Sequence, residues 1–115
     1  IDVAYFQQGT VDNHLRPVCE HEAGGADQYH CVTAPDTLDV WRTALFVAAL
    51  ASDPAIRVIG VDGQIGPQLN VAIGELCRLG WTDACRAVPL AFEVTDGGQG
   101  WFLFHHHNMH VSFRR

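Results

Sequence analysis

The hydrophobic and polar positions divide the chain into strand-like and helix-like segments. Residues 1–6, "IDVAYF", are rich in β-branched and aromatic side chains and predict a strand. Residues 38–52 repeat apolar side chains at helical spacing and predict a buried amphipathic helix, with Asp36 or Thr37 as its N-cap. Residues 56–61 are mostly apolar, which predicts a short strand in the centre of a sheet. The apolar positions expected to face the core from the first helix are Leu38, Trp41, Leu45, Ala48 and Ala49.

The second half of the chain continues this alternation. Pro67 is placed to open a second helix that ends before Gly80. The apolar positions of that helix fall on one face and are Leu69, Ile73, Leu76 and Leu79. Residues 101–104 and 109–113 predict strands. Together these elements predict a single α+β domain over 1–115, with a small antiparallel sheet and two main helices packed on it.

A long polar stretch over residues 7–37 shows no periodic pattern, which indicates a functional or cross-linked loop. The four cysteines lie at spacings that match no C-x-x-C pattern. Their favoured pairing is local, Cys19 with Cys31 and Cys77 with Cys85, which implies an oxidising compartment. The alternative is four buried reduced thiols in a cytosolic protein.

The charge of the chain argues against nucleic acid as a partner. Acidic residues number 13 against 7 basic ones, and no basic cluster is longer than Arg114–Arg115. No apolar run reaches the roughly 18 residues that would predict a membrane-spanning helix. The sequence opens on Ile1 without a basic leader, so we expect that a signal peptide has been removed or that the chain is a piece of a longer protein.

The segment "HHHNMH", 105–110, concentrates histidines near the end of the chain. On a regular strand alternate side chains share a face, which predicts a polar face made of His106, Asn108, His110 and Ser112. Asp2 is a carboxylate in an otherwise apolar strand. If the two terminal strands are neighbours, Asp2 and His110 can bind one zinc ion. The alternative is a hydrogen-bonded structural histidine and a solvated aspartate.

The order of these segments resembles a family of zinc peptidases. The segments "IDVAYF", "DTLDVWRTALFVAALASDPAIRVIGVDGQIGPQL", "RAVPL" and "HHHNMHVSF" are similar to the penicillin-insensitive murein endopeptidases. That family is grouped with lysostaphin, D-alanyl-D-alanine carboxypeptidases and hedgehog domains. The resemblance covers most of the 115 residues. It implies a hedgehog-like fold, a Zn²⁺ cofactor and hydrolysis of peptide cross-links in peptidoglycan by a periplasmic or secreted protein.

Carried over by position, the resemblance implies that Asp2 and His110 are zinc ligands and that His105 is an additional active-site histidine. The family's first ligand is a histidine upstream of the aspartate, which falls ahead of Ile1. We expect a preceding segment to supply it. Otherwise a histidine of the long loop would have to move into the site, and the candidates are His14, His21 and His30.

Asn108 departs from the family pattern, which has a histidine at that position. Asparagine can donate a hydrogen bond to an oxyanion but cannot take a proton near neutral pH. His107 can replace it as the base if a β-bulge shifts the register by one residue; otherwise the site is impaired. The resemblance also implies cleft walls that contact the peptide, formed by Tyr29, His30 and Trp101.

Two other functions are consistent with the sequence. The segment "VDGQIGPQ", 61–68, is similar to a turn of peptidoglycan-binding domains, so one alternative is a cell-wall binding module without catalysis. Strands at both termini argue against that alternative, because those domains are three-helix bundles. The glycines of this turn are instead expected to serve positive-φ positions. The other alternative is an inert, disulfide-stabilised secreted domain with a histidine-rich edge.

Overall fold

The computed structural model describes residues 1–9, 14–21, 29–85, 88–103 and 105–115. Within these ranges the chain forms two helices, α1 (Val40–Ala51) and α2 (Gly66–Arg78). The strands are β1 (Asp2–Ala4), β2 (Ile56–Gly60), β3 (Leu90–Ala91) and β4 (Asn108–Phe113). The predicted α+β class is confirmed. No helix in these ranges is long and apolar enough to cross a bilayer.

The four strands form one mixed sheet in the order β1-β4-β2-β3. Strand β4 pairs antiparallel with both β1 and β2, whereas β3 pairs parallel with β2. The prediction of an antiparallel sheet is therefore wrong for β3. Helix α2 lies between β2 and β3, and a connection that contains a helix can return a strand parallel to its predecessor. The central position predicted for residues 56–61 is confirmed, because β2 has neighbours on both sides.

The two ends of the chain lie side by side in this sheet. The register places Asp2 opposite His110, Val3 opposite Met109 and Ala4 opposite Asn108. Met109 and Val111 are almost fully buried, so one face of β4 is fixed against the core. Alternate residues then project from the other face, which is how Asp2 and His110 come to share it. The expected pairing of the terminal strands is confirmed.

One hydrophobic core contains the buried faces of both helices and of the sheet. The buried residues are Thr43, Ala44, Val47 and Ala48 from α1 and Gly66, Leu69, Ala72, Ile73 and Leu76 from α2. The predicted face of α2 is confirmed except for Leu79, which follows the helix and is exposed. The prediction for α1 is confirmed for Leu38 and Ala48 and wrong for the other three residues, because α1 packs mainly against α2 through its smaller residues. Trp41, Leu45 and Ala49 are exposed, Trp41 to 52%.

Helix α1 begins later than predicted because the residues before it pair with the start of the chain. Gln7 forms an isolated bridge with the residue that follows Thr37. The Thr37 hydroxyl donates to the side-chain oxygen of Gln7 at 3.0 Å. The predicted N-cap, Asp36 or Thr37, is therefore wrong. Asp39 caps the helix instead by accepting a hydrogen bond from the backbone N–H of Arg42.

A buried hydrogen-bond network centred on Tyr5 connects distant parts of the chain. The Tyr5 hydroxyl donates to the backbone oxygen of His105 at 2.8 Å and accepts from the backbone N–H of Asp62 at 3.1 Å. The Asp62 carboxylate accepts from the backbone N–H groups of Cys31 and Gln64, both at 2.8 Å. Burial raises the pKa of Asp62, and these two hydrogen bonds oppose the shift. The network thereby fixes the histidine segment to β1 and to the end of β2.

Both predicted disulfides are present, Cys19–Cys31 and Cys77–Cys85. The first closes the long polar stretch, of which residues 10–13 and 22–28 lie outside the described ranges. The second connects the end of α2 to the loop that follows it. Two disulfides are typical of proteins that fold in an oxidising compartment.

Glu93 organises the glycine-rich loop that precedes the histidines. Its buried carboxylate accepts three backbone hydrogen bonds of 2.8 to 3.1 Å. The donors are the N–H groups of Gly97, Gln99 and Trp101. The backbone hydrogen bonds, that of Gln99 first, lower the pKa of Glu93. The prediction of a strand over 101–104 is therefore wrong for residues 101–103, because the backbone of this loop donates its hydrogen bonds to Glu93 and not to a neighbouring strand. Residue 104 lies outside the described ranges.

The glycines of the turn after β2 are required for close packing. Neither Gly63 nor Gly66 has a positive φ, so the predicted reason for them is wrong. A Cβ at Gly63 would collide with the backbone oxygen of Glu93, and one at Gly66 with the ring of Phe92. Close packing therefore explains the glycines of this turn, and no bound ligand is needed to explain them.

We expect Tyr5→Phe to lower the free energy of unfolding by about 1–3 kcal/mol, because it leaves a buried N–H and a buried carbonyl without their shared partner. Urea denaturation measures the change. Tyr29→Phe at the half-exposed second tyrosine is the control and should change the midpoint less. Equal midpoints for Tyr5→Phe and the unmodified protein would show that the network contributes nothing.

Candidate functional site

Asp2 and His110 form a direct contact on the sheet face that points away from the core. The distance between His110 Nδ1 and Asp2 Oδ1 is 2.9 Å. Both side chains are accessible, at 43% for His110 and 60% for Asp2. The structure thus brings together the two side chains that the sequence predicts as zinc ligands.

Trp101 borders this face of the sheet. Gly60 lies opposite His110 in the β2–β4 pairing, so a side chain at residue 60 would project beside His110. The Trp101 ring occupies that space, because a Cβ at Gly60 would collide with it. The loop held by Glu93 therefore places an aromatic ring next to the Asp2–His110 pair.

His105 lies beneath the same region and is buried. Its ring centroid is 6.0 Å from that of Trp101. Burial lowers the pKa of His105, and the charges of His110, Asp62 and Asp2 act on it as well. Its Nδ1 has no hydrogen-bond partner within the described part of the chain. His105 is therefore a neutral imidazole at pH 7, close enough to the Asp2–His110 pair to respond to its charge.

A stack of aromatic and imidazole rings lies before β4. The ring centroid of His106 is 4.5 Å from that of His21, 4.3 Å from that of His107 and 5.5 Å from that of Tyr29. His106 precedes the strand, so the prediction that it shares the face of His110 is wrong. Burial, and then the neighbouring His107 and His21, lower the pKa of His106 to about 4.

The register of β4 decides whether a β-bulge lies next to His107, the residue proposed as the base. The β1–β4 pairing is regular through Asn108, and the one irregularity among the described pairings lies in β2 between Ile56 and Val58. This pairing therefore does not contain the bulge that was the condition for His107 to replace Asn108. Asn108 is buried and its Nδ2 donates to His107 Nδ1, which makes Nδ1 the acceptor of that ring.

The other predicted cleft residue, His30, lies away from the Asp2–His110 pair. Its ring stacks on Phe102 at 4.2 Å and its Nδ1 lies 3.2 Å from the oxygen of Cys31. It lines a small cavity of about 10 Å³ with Asp62 and Glu93. His30 therefore lies beside the buried carboxylates of Asp62 and Glu93.

A groove of about 610 Å³ that sequence reasoning missed runs from His110 along the second half of β4. Its lining residues are Ile1, Arg57, His110, Val111, Ser112, Phe113 and Arg115. One feature of the sequence could have indicated this groove. Ile56 and Ile59 are apolar and three positions apart, a spacing that does not fit strict alternation in a strand. Within the described ranges, no group of three or more His, Cys, Asp or Glu side chains is arranged to hold a metal ion.

The low pKa of His106 predicts a loss of stability in acid. The unfolded imidazole titrates near pH 6.5 and the folded one near pH 4, so the folded state is favoured fully above pH 6.5 and loses this contribution as the pH falls towards 4. We expect His106→Phe, which keeps a ring in the stack, to flatten the decline of the thermal midpoint over this range. His14→Gln at an exposed position should leave the decline unchanged. An unaltered profile in His106→Phe would contradict the assignment.

The chain matches no protein-family model, no curated protein sequence and no solved structure. The resemblance to the murein endopeptidases therefore stays a prediction from the sequence segments.

Proposed function

We propose that the protein is a zinc-dependent peptidoglycan endopeptidase that acts outside the cytoplasm, and that its sheet and helices are arranged as in the hedgehog and D-Ala-D-Ala peptidase group. One observation carries the proposal. A carboxylate and an imidazole from opposite ends of the chain meet at 2.9 Å on an accessible sheet face. Carboxylate and imidazole are both ordinary zinc ligands in hydrolytic sites. The two disulfides support an oxidising compartment.

The residues around the pair fit the needs of peptide hydrolysis. Zinc, when bound, supplies Lewis-acid polarisation of the scissile carbonyl and activation of water. Asp2 and His110 hold the metal, and Trp101 offers a flat apolar surface against which the peptide packs. His105 is neutral and can accept a proton near the pair. Asn108 donates to His107 Nδ1, so a neutral His107 carries its proton on Nε2 and can act as a proton donor rather than as the base.

A hydrolytic zinc site uses three protein ligands, so one more is needed. The resemblance assigns it to a histidine that precedes the aspartate. Of the loop histidines, His21 is held against His106 and His30 against Phe102. Either would have to leave its stack to reach Asp2. Recruiting either of these two histidines would therefore cost the ring contacts that it makes.

The contact between Asn108 and His107 supports a second candidate, a zinc-peptidase homologue that binds peptidoglycan without cleaving it. The amide cannot take a proton, and its donation to His107 Nδ1 occupies a nitrogen that could otherwise act as a base. Zinc binding is expected in both candidates, whereas hydrolysis is expected only in the first.

We expect the protein expressed from its full gene to bind about one zinc per chain, because a mononuclear site needs only one ion. Asp2→Ala and His110→Ala should each abolish stoichiometric zinc in elemental analysis after dialysis. Asp36→Ala, which removes an exposed carboxylate elsewhere, should retain it. Unchanged zinc content in both ligand variants would overturn the assignment.

We expect the zinc-loaded protein to release shorter peptides from cross-linked muropeptides, and Asp2→Ala to abolish the release because a ligand is lost. Chromatography with mass detection follows the products. Retained zinc and retained binding to peptidoglycan without any product would favour the non-cleaving homologue.

A further inference from the structure

The groove beside His110 carries an unusual share of the positive charge of an acidic protein. The chain has 13 acidic and 7 basic residues, so cations are scarce. Arg57 and Arg115 both line this groove. Arg114, next to Arg115, is engaged through its Nε with the backbone oxygen of Pro54 at 2.9 Å. The groove is therefore an electropositive feature that the net charge of the chain does not predict.

The arginines of the groove differ from those of the helices. Arg42 pairs with Asp39, and Arg78 pairs with Glu75, each within its own helical turn. Within the described ranges Arg57 makes no hydrogen bond or ion pair with any side chain. A guanidinium left without a carboxylate in an acidic protein is available to bind an anion from outside.

The β-bulge in β2 directs Arg57 into the groove. Ile56 pairs with Phe113 and Val58 with Ser112, so Arg57 is the extra residue between two pairings. Ile56 and Ile59 are both buried in the core although they are three positions apart, a spacing that would place them on opposite faces of a regular strand. The bulge therefore keeps both isoleucines inside and sets Arg57 beside Ser112 on the accessible face.

We propose that Arg57, with Ser112 and Arg115, forms a subsite for a carboxylate of the peptide substrate. The inference rests on the proposed function and specifies its substrate class as a peptide with a free carboxylate near the cleaved bond. Ser112 follows His110 by two residues on the same face, a separation of about 6.6–6.8 Å. An extended peptide spans about 3.3–3.6 Å per residue, so the carboxylate lies about two residues from the bond at His110.

The guanidinium group suits this ligand because its donors match the two oxygens of a carboxylate in a bidentate pair. The hydroxyl of Ser112 can donate a further hydrogen bond. Both groups are accessible, so the interaction depends on ionic strength. A phosphate would meet the same donors, and the experiment therefore includes it.

The test measures binding without zinc. Chelator-treated protein is titrated by NMR with acetyl-dialanine and with the C-terminal amide of the same peptide. We expect the carboxylate form to bind about tenfold more tightly, as charge-assisted hydrogen bonds imply. Arg57→Gln should remove this preference, and Arg78→Gln, which makes the same charge change on α2, should retain it. Added salt should weaken only the carboxylate form.

Equal affinities for the two peptides, or a preference that survives Arg57→Gln, would overturn the subsite. Inorganic phosphate that binds at Arg57 while the two peptides bind equally would overturn it too, since the site would then belong to a different anion. The thermal midpoint of Arg57→Gln shows that the variant is folded. A carboxylate preference in a protein that fails to bind zinc would leave the subsite standing and overturn only the proposed hydrolase.

Discussion

The antiparallel pairing of β1 with β4 is the constraint on which the rest of this structure depends. It joins residues 108 positions apart, and closing so long a loop costs about 4 kcal/mol in chain entropy by the logarithmic relation. Burial of Tyr5, Met109 and Val111 offsets that cost, since each such side chain contributes about 1.5–3 kcal/mol when it leaves water. Alternation along the strands then sets Asp2 and His110 on the opposite face. The core therefore positions the candidate site without taking part in it.

The accessible face depends in turn on two carboxylates that do no proposed chemistry. Asp62 receives backbone hydrogen bonds from the disulfide loop, and Glu93 receives them from the glycine-rich loop. The described residues of both loops lie outside the four strands of the sheet, and these buried acceptors supply hydrogen bonds that a ladder would otherwise provide. Trp101 is placed on Gly60 as a result. A site formed by loops thus acquires a defined shape from acceptors beneath it.

The sequence predicted the features that follow from local periodicity. Helix α2, strand β2 and both disulfides follow from local patterns or short spacings, and the shared face of Asn108, His110 and Ser112 follows from alternation in β4. Features that depend on distant contacts were not predictable. The start of α1 is set by Gln7, which is remote from Thr37 in sequence. Strand β3 has two residues beside Pro89, too few for a pattern. The bulge at Arg57 is determined by two isoleucines that must both reach the core.

The histidines of the final segment fall into two groups because their environments differ. His105, His106 and His107 precede the strand, and burial lowers the pKa of each, so they are neutral at pH 7. His110 lies in the strand, where alternation exposes it beside a carboxylate. Neutral imidazoles favour stacking and proton transfer over charge pairing, whereas His110 makes a direct contact with the Asp2 carboxylate on the accessible face. One run of similar residues therefore separates, at the point where the chain enters β4, into rings that support the strand and one histidine on the accessible face.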